Sequence, residues 1–220
     1  MRSFTVIDAP QRSIEWFAAR AGRLTGSCAK DMLATIKSGE AAARRDLRTR
    51  LVVERLTGTP QEDSYVNAAM QWGIDHEEAA FAAYEALTGQ MAVRTGFLAH
   101  RDLMAGCSLD GHVGDFDGIL ECKCPKSATH MGYLRSNTIP AEHQAQVLHN
   151  LWIAGASWCD FLSFDPRFPA HLQTVLIHFV PQPAVIAEYA DKAIAFLQDV
   201  DRELASVQGW RVLEQEQTVA

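Results

Sequence analysis

The hydrophobic periodicity of the chain changes near residue 90, and this change limits the folds that the sequence can adopt. Before it, apolar residues recur at helical spacing in four segments: 14–22, 29–36, 40–56 and 67–87. After it come five short, often alternating runs bounded by Gly, Asp or Pro: 91–98, 104–113, 119–124, 158–164 and 174–180. Further helices are expected at 127–136, 140–154 and 184–207. We therefore expect an α/β or α+β fold with a mixed central β-sheet flanked by helices.

The composition is that of a globular chain, since 48% of its 220 residues are hydrophobic and 21% are charged. We expect one domain over 1–220, with a helical part at 1–90, a sheet core at 91–180 and a closing helix at 184–207. No signal peptide or membrane span is expected, because the first residues lack an apolar core and no run of about 18 apolar residues occurs. Five cysteines without a C-x-x-C pair predict reduced thiols in the cytoplasm rather than a disulfide scaffold or a zinc ribbon.

The net charge of −7 argues by itself against a nucleic-acid partner, because a polyanion repels an acidic protein. The charge is unevenly distributed, however. Residues 1–58 contain 11 Lys and Arg against 6 Asp and Glu, whereas residues 59–220 contain 9 against 21. The basic segment is compatible with a solvated helix carrying the arginines between 44 and 55, and equally with an anion-binding face.

The stretch 107–125 predicts a β-hairpin whose turn is Gly-Asp-Phe-Asp-Gly. In that register Asp110 faces Glu121 and Ser108 faces Lys123, and all four side chains lie on one face of the hairpin. Two opposed carboxylates repel each other unless a cation lies between them, and Mg²⁺ or Mn²⁺ accepts such hard oxygen ligands. Lys123 would then orient an attacking water and stabilise its charge. A surface hairpin with ordinary cross-strand salt links is the alternative.

A third carboxylate interrupts the apolar stripe of the helix predicted at 67–87. Glu77 lies near the centre of the stripe formed by Met70, Ile74 and Phe81. A carboxylate among apolar side chains is costly unless it is paired or bound to a metal. We expect Glu77 to point toward the acids of the hairpin, and the alternative is a core Glu paired with an Arg.

A polar stripe follows the helix predicted at 140–154. His143, Gln146 and Asn150 are spaced i, i+3 and i+7, opposite the apolar face of the helix. A stripe of this kind lines a wet cleft or faces bulk solvent, and the spacing does not distinguish the two.

Basic side chains lie near a predicted helix start in the first third of the chain. Ser13 and Ser27 are expected to cap the helices that follow them. Arg20 and Arg23 lie just before the second of these helices, and backbone N–H groups at a helix start favour a phosphate. The alternative is that these are surface arginines.

Taken together, these residues resemble the phage lambda exonuclease family, the YqaJ-type viral recombinases, within the PD-(D/E)xK nuclease superfamily. Six ordered blocks between residues 15 and 167 carry the resemblance. They are Glu15-Trp16 through Arg20 with Leu24-Thr-Gly-Ser27, Gln71-Trp72-Gly73 with Glu77, Cys107-Ser-Leu-Asp110-Gly111, Leu120-Glu121-Cys-Lys123-Cys-Pro125, Ala145-Gln146-Val147 to Trp152, and Phe164-Asp165-Pro166-Arg167. The implied fold is a restriction-endonuclease-like core.

The resemblance implies a Mg²⁺-dependent, processive 5′→3′ exonuclease that degrades linear double-stranded DNA to mononucleotides and leaves a 3′ single strand for annealing. It also implies a toroidal homotrimer, a single-strand annealing protein as partner, and a phage or prophage origin in a bacterial cell. Two alternatives stay open: a sequence- or structure-specific endonuclease with the same core, and a non-catalytic DNA-end-binding recombination protein. The cysteine spacing supplies no recognisable four-ligand iron–sulfur set.

The resemblance also implies roles for the residues of the hairpin. Asp110, Glu121 and the backbone carbonyl of Cys122 would bind metal, with two Mg²⁺ ions in a site and Mn²⁺ as a possible substitute. Glu77 would serve the second ion or its water. Lys123 would orient and activate the attacking water.

Outside the hairpin, the resemblance implies that Gln146 assists in the same site. Arg20, Ser27 and Ser108 match the pocket for the DNA 5′-phosphate. Met70 takes the position of a hydrophobic wedge that splits the terminal base pair.

The chain departs from the family pattern at three positions. Leu109 replaces the proline before the first acid, His143 replaces a tyrosine, and Asn150 replaces the tyrosine of the related Q-x(3)-Y motif. The resemblance therefore leaves the role of His143 and Asn150 open. The charge distribution adds one expectation: the basic residues of 1–58 line the DNA path, while the acids of 59–220 bind metal or repel DNA from the outer surface.

Overall fold

The computed structural model describes residues 2–61 and 68–209. Its helices are α1 Ile14–Arg20, α2 Ala29–Met32, α3 Ala42–Thr57, α4 Ala68–Thr88, α5 Ser127–Ser136, α6 Ala141–Ala154 and α7 Pro183–Gln208. Its strands are β1 Phe4–Ile7, β2 Phe97–His100, β3 Gly106–Cys107, β4 Gly111–Val113, β5 Gly118–Lys123, β6 Trp158–Phe164 and β7 Thr174–Phe179. Position 67, the expected first residue of the fourth helix, lies outside the described residues.

The strands form two sheets. The first is antiparallel, in the order β1-β2-β3, and the second has the order β4-β5-β6-β7. In the second sheet β5 and β6 are parallel, whereas the other neighbours are antiparallel. Helices α5 and α6 connect the two parallel strands, as a parallel pair requires a long crossover. The expected mixed sheet is confirmed, while β1 was not predicted from the sequence because four residues give too short a pattern.

The run 104–113 was expected to form one strand, and this prediction is wrong. The structure divides it into β3 and β4, which belong to different sheets. Residues 108–110 form no ladder between them. The hairpin register itself is confirmed, because Gly111 pairs with Leu120 as predicted. Asp110 therefore lies just beyond the end of the hairpin ladder, where its side chain is free to turn toward β5.

Two apolar cores hold the elements in place. The larger contains Leu51 of α3, Leu151 of α6 and Phe196 of α7, all at most 1% exposed. The smaller lies between α4 and the second sheet, where Phe81 and Tyr84 pack against strand residues. Only the second half of the α4 stripe is buried in this way, so the first half faces the site described below.

Three arginines of the basic helix α3 pair with acids that α7 places beside them, whereas Arg45 is exposed and lies next to Asp46. The pairs are Arg44 with Asp199 at 2.7 Å, Arg55 with Asp201 at 2.6 Å, and Arg48 with Glu203. The opposite charges counted in the two parts of the chain thus partly neutralise each other across α3 and α7. The expectation that the basic residues of 1–58 line a DNA path stays a prediction.

One predicted helix cap is confirmed and the other is wrong. Ser13 caps α1 and accepts a hydrogen bond from the Trp16 N–H at 3.1 Å. Ser27 caps no helix, because it lies inside a 3₁₀ turn, Gly26–Cys28, that precedes α2. Its hydroxyl is therefore available to a different partner. Within the described residues, no helix has the length and apolar character needed to cross a membrane.

Candidate active site

Three side chains that were expected to share one face meet at the end of β5. The carboxylate of Asp110 accepts a hydrogen bond from the backbone N–H of Cys122 at 2.7 Å. Glu121 is 1% exposed, and its Oε1 accepts a hydrogen bond from Nζ of Lys123. The alternative of a solvent-facing hairpin is wrong, because a surface salt link would leave Glu121 accessible to water.

The electrostatics of this cluster reflect two acids that share one lysine. Burial and the negative charge of Glu121 raise the pKa of Asp110 to about 6. Burial alone would lower the pKa of Lys123, but Glu121 and Asp110 outweigh it and raise that pKa. Lys123 is therefore charged at neutral pH. A cation that bound between the carboxylates would relieve the repulsion that raises the pKa of Asp110.

Glu77 on α4 lies near this cluster and also pairs with an arginine. Its Oε1 is 3.3 Å from Nη2 of Arg94. Burial and the nearby Asp110 raise the pKa of Glu77, while Arg94 and Arg12 oppose that rise. The third acid thus lies close enough to Asp110 to interact electrostatically with it, and the arginine pairing considered as the alternative is present as well.

A cleft of about 550 Å³ lies between the first half of α4 and the end of β5. Met70, Ile74 and Glu77 line it on the α4 side, and Asp110 and Lys123 line it on the strand side. The side chain of Met70, in the half of α4 that does not pack on the sheet, is 47% exposed. The cleft therefore combines an acidic end with an apolar side chain in reach of a ligand.

The polar stripe of α6 faces the protein interior rather than bulk solvent. Asn150 is 1% exposed, and its Nδ2 donates a hydrogen bond to Oε2 of Glu121 at 3.1 Å. Gln146, one turn earlier, lies beside Gly26. His143 lines the cleft, and burial lowers its pKa to about 4, so it is neutral at pH 7. The helix face that carries His143, Gln146 and Asn150 therefore borders the site.

The three residues expected to form a phosphate pocket are brought together around Trp16. Nη2 of Arg20 donates a hydrogen bond to Oγ of Ser27 at 3.2 Å, and the guanidinium lies 4.1 Å from the Trp16 ring centre. Nε1 of Trp16 donates a hydrogen bond to Oγ of Ser108 at 2.9 Å. Arg23, by contrast, donates to two backbone carbonyls in the loop before β3 and is structural.

The donor set at the end of β5 suits a hard divalent cation. Across residues 2–61 and 68–209, no three His, Cys, Asp or Glu side chains lie close enough to share one ion. Mg²⁺ commonly takes only one or two protein carboxylates and fills its remaining positions with water and substrate oxygens. Asp110 and Glu121 offer those carboxylates, and their mutual repulsion gives the pair a physical reason to bind a cation.

Some residues of the site carried no signal, or only a weak one, in the sequence. Arg12 lines the cleft, but its backbone lies in the left-handed region at φ 70°, which arginine rarely adopts. Gln11 donates to the carbonyl of Leu109 at 3.4 Å and so ties this loop to the segment that carries Asp110. Arg94 follows α4 in a segment expected to be a strand. Trp16 is the exception. It belongs to one of the sequence blocks that carry the family resemblance, so the sequence did indicate that it lies near the site.

The fold and the site define a mixed α/β protein with a partly buried acid–lysine cluster at one end of an open cleft. A family model described as the YqaJ-like viral recombinase domain matches residues 15–157. The chain belongs to this family, which confirms the resemblance noted in its sequence. No curated protein matches the chain.

Solved structures give the same result for the fold. The alkaline exonuclease LHK-Exo from Laribacter hongkongensis is 34% identical, with a TM-score of 0.80, and the match covers 89% of this chain and 96% of that one. The structure of LHK-Exo in complex with dAMP matches with the same values. A phage-related exonuclease from Haemophilus somnus 129PT matches at 13% identity with a TM-score of 0.67, over 84% of this chain and 96% of that one, and supports the fold alone. The expected fold class is confirmed.

Proposed function

We propose that this protein is a Mg²⁺-dependent exonuclease that degrades linear double-stranded DNA in the 5′→3′ direction, releases mononucleotides and leaves a 3′ single strand for annealing recombination. The observation that carries the proposal is the buried Glu121 and the half-buried Asp110 beside Lys123, at one end of an open cleft. Membership of the viral recombinase family and the likeness to an alkaline exonuclease support nuclease chemistry.

In the proposed mechanism, Asp110, Glu121 and the carbonyl of Cys122 hold Mg²⁺, or Mn²⁺ in its place, and Glu77 serves a second ion or its water. The bound metal supplies Lewis acidity toward the scissile phosphate and lowers the pKa of a water molecule. Lys123 stays charged because the two neighbouring acids raise its pKa. Its ammonium donates a hydrogen bond to the attacking water and stabilises negative charge that develops on the phosphate.

The remaining residues of the proposal position the DNA end. Arg20, Ser27 and Ser108 offer one guanidinium and two hydroxyls to a terminal 5′-phosphate, whose charge an arginine matches well. Met70 inserts its exposed side chain between the terminal bases, as apolar wedges do in other DNA-binding proteins. Gln146 assists from α6, where it lies beside Gly26, the residue before Ser27.

The proposal extends to the setting of the reaction. A toroidal homotrimer would keep the protein on one DNA molecule, and a single-strand annealing protein would take up the 3′ strand. A phage or prophage gene expressed in the cytoplasm of a bacterial host would supply both. These points rest on the family relationship.

The direct test uses DNA duplexes labelled at either the 5′ or the 3′ end, together with a covalently closed circle of the same sequence. With Mg²⁺ we expect mononucleotides from the 5′ ends and no degradation of the circle. Cutting of the circle at a similar rate would indicate an endonuclease instead. Binding of duplex ends without any hydrolysis would indicate a non-catalytic end-binding protein.

The phosphate pocket has its own test. Arg20→Ala removes the only charged donor of the proposed pocket, so cleavage of 5′-phosphorylated duplex should slow roughly 10- to 100-fold. Duplex with a 5′-hydroxyl end should lose less than about threefold, because it offers no terminal charge to bind. Arg45→Ala is the matched control, since Arg45 is exposed and pairs with its neighbour Asp46 rather than with a residue of the proposed pocket. An equal loss on both substrates would make Arg20 a structural residue.

A further inference from the structure

Asn150 occupies a position that the sequence left without a role, and the structure places it against the most buried acid of the site. It lies on α6, one turn after Gln146, and is 1% exposed. Its Nδ2 donates to Oε2 of Glu121 at 3.1 Å, while Lys123 occupies the other carboxylate oxygen. A carboxylate has about four lone-pair sites, so these two donors fix its orientation and leave two sites for other ligands.

The amide is a suitable donor for this task because it is neutral. A second cation beside Glu121 would weaken the attraction between that carboxylate and a metal ion. An apolar side chain would leave one oxygen of a buried carboxylate without a donor, which is costly. An amide satisfies the oxygen and leaves the full negative charge of Glu121 available.

The other end of the amide argues against a purely structural role. Oδ1 of Asn150 is buried and has no hydrogen-bond partner among residues 2–61 and 68–209. A buried polar atom without a partner costs stability, so the residue is not the best choice for packing alone. This oxygen lies against Gly26, where an added Cβ would be only 2.5 Å away. Gly26 directly precedes Ser27 of the proposed phosphate pocket.

We propose that Asn150 is a positioning residue: its amide orients the Glu121 carboxylate for metal binding, and its packing against Gly26 couples that carboxylate to the turn that carries Ser27. The inference rests on the proposed metal-dependent nuclease function and deepens it. It joins two parts of the site, the acid Glu121 on β5 and the turn before α2, through one side chain on α6.

The test measures metal binding without DNA, by titrating Mn²⁺ and following the free ion by electron paramagnetic resonance. Asn150→Leu has nearly the same shape but neither the donor nor the unpartnered oxygen, so we expect its affinity for Mn²⁺ to fall roughly 10- to 100-fold. Its melting temperature without metal should change little, because the loss of the donor to Glu121 opposes the removal of the unpartnered oxygen.

A second variant approaches the same contact from the other side. Gly26→Ala touches no acid, but its new methyl group displaces the Asn150 amide, so we expect a similar loss of Mn²⁺ affinity. In an Asn150→Ala background the same change should have little further effect, since the space is then free. Tyr189→Phe is the matched control: it removes a buried hydrogen bond to His149 on the same helix at 2.8 Å and should leave Mn²⁺ affinity unchanged.

The outcomes separate the two proposals. If the wild-type protein binds no Mn²⁺ and cleaves no DNA, the proposed function fails. If the wild-type protein binds Mn²⁺ and cleaves DNA while Asn150→Leu and Gly26→Ala bind the ion equally well, only the inference about Asn150 is overturned. Additive losses in the Gly26 and Asn150 double variant would overturn the coupling.

Discussion

Two aspartates in this protein, the buried Asp165 and the half-buried Asp110, are held in opposite ways. Asp165, with no exposed surface, accepts hydrogen bonds from Nε and Nη2 of Arg167 at 2.7 and 2.8 Å. Although burial acts in the other direction, these bonds lower the pKa of Asp165 to about 2. Asp110 lies beside Glu121 and shares one lysine with it, and its pKa is raised to about 6. The negative charge of Asp165 is matched by an arginine of its own, whereas Asp110 has to share Lys123 with Glu121.

The difference identifies which buried acids serve the fold and which serve a site. Asp160 follows the first pattern, since Tyr84 donates to it at 2.8 Å and Nδ1 of His178 lies 2.7 Å away. Acids of this kind join α4, β6 and β7 without exposing reactive groups. The pair at the end of β5 retains repulsion that only an external cation removes. A pair of neighbouring carboxylates that share a single cation is therefore the better marker of function.

The largest expected effect is on catalysis. Asp110→Asn removes one carboxylate of the proposed metal site while keeping its shape and its acceptor for the Cys122 N–H. Loss of several kcal/mol of transition-state stabilisation should slow Mg²⁺-dependent cleavage by at least about 1,000-fold. Binding of a duplex end in EDTA should stay close to the wild-type value. Cleavage at the wild-type rate would contradict the distinction between Asp110 and Asp165, because Asp110 would then be another structural acid.

The second prediction concerns the compensated acid. Arg167→Ala leaves the buried Asp165 without its charged partner and should lower the free energy of unfolding by about 3 kcal/mol, measured by urea denaturation. The double variant Asp165→Asn with Arg167→Ala should recover part of this loss, because no unpaired charge is then buried. If the single variant is as stable as the wild type, Asp165 is not compensated in the way described.

The smallest effect is on the pH dependence of stability without divalent ions. A raised pKa means that folded Asp110 binds a proton more tightly than the unfolded chain does, so its ionisation destabilises the fold as the pH rises from about 4 to 6. Asp110→Asn should remove this dependence and be more stable than the wild type above pH 6, by on the order of 2 kcal/mol. Thermal melts at several pH values in EDTA measure the difference. Parallel profiles would show that Asp110 is not destabilised by its neighbours.

Much of the fold could be predicted because its signals are local. The bounds of α5 and β6 match the expected 127–136 and 158–164, and the hairpin register follows from its turn. The split of 104–113 between two sheets was missed, since neighbouring strands rather than local pattern decide where a ladder ends. The role of α3 was missed for the same reason: a basic stripe does not reveal which acids lie beside it.

The sequence by itself determined the acids, the lysine and their common face, because alternation along a strand is a property of the local backbone. It also determined the family, through ordered blocks of residues. Only the tertiary structure decided that Asn150 contacts Glu121 and that arginines of α3 pair with acids of α7, since these contacts join elements far apart in the chain. Contacts of this kind follow from how helices pack on a sheet, and no spacing in the sequence encodes them.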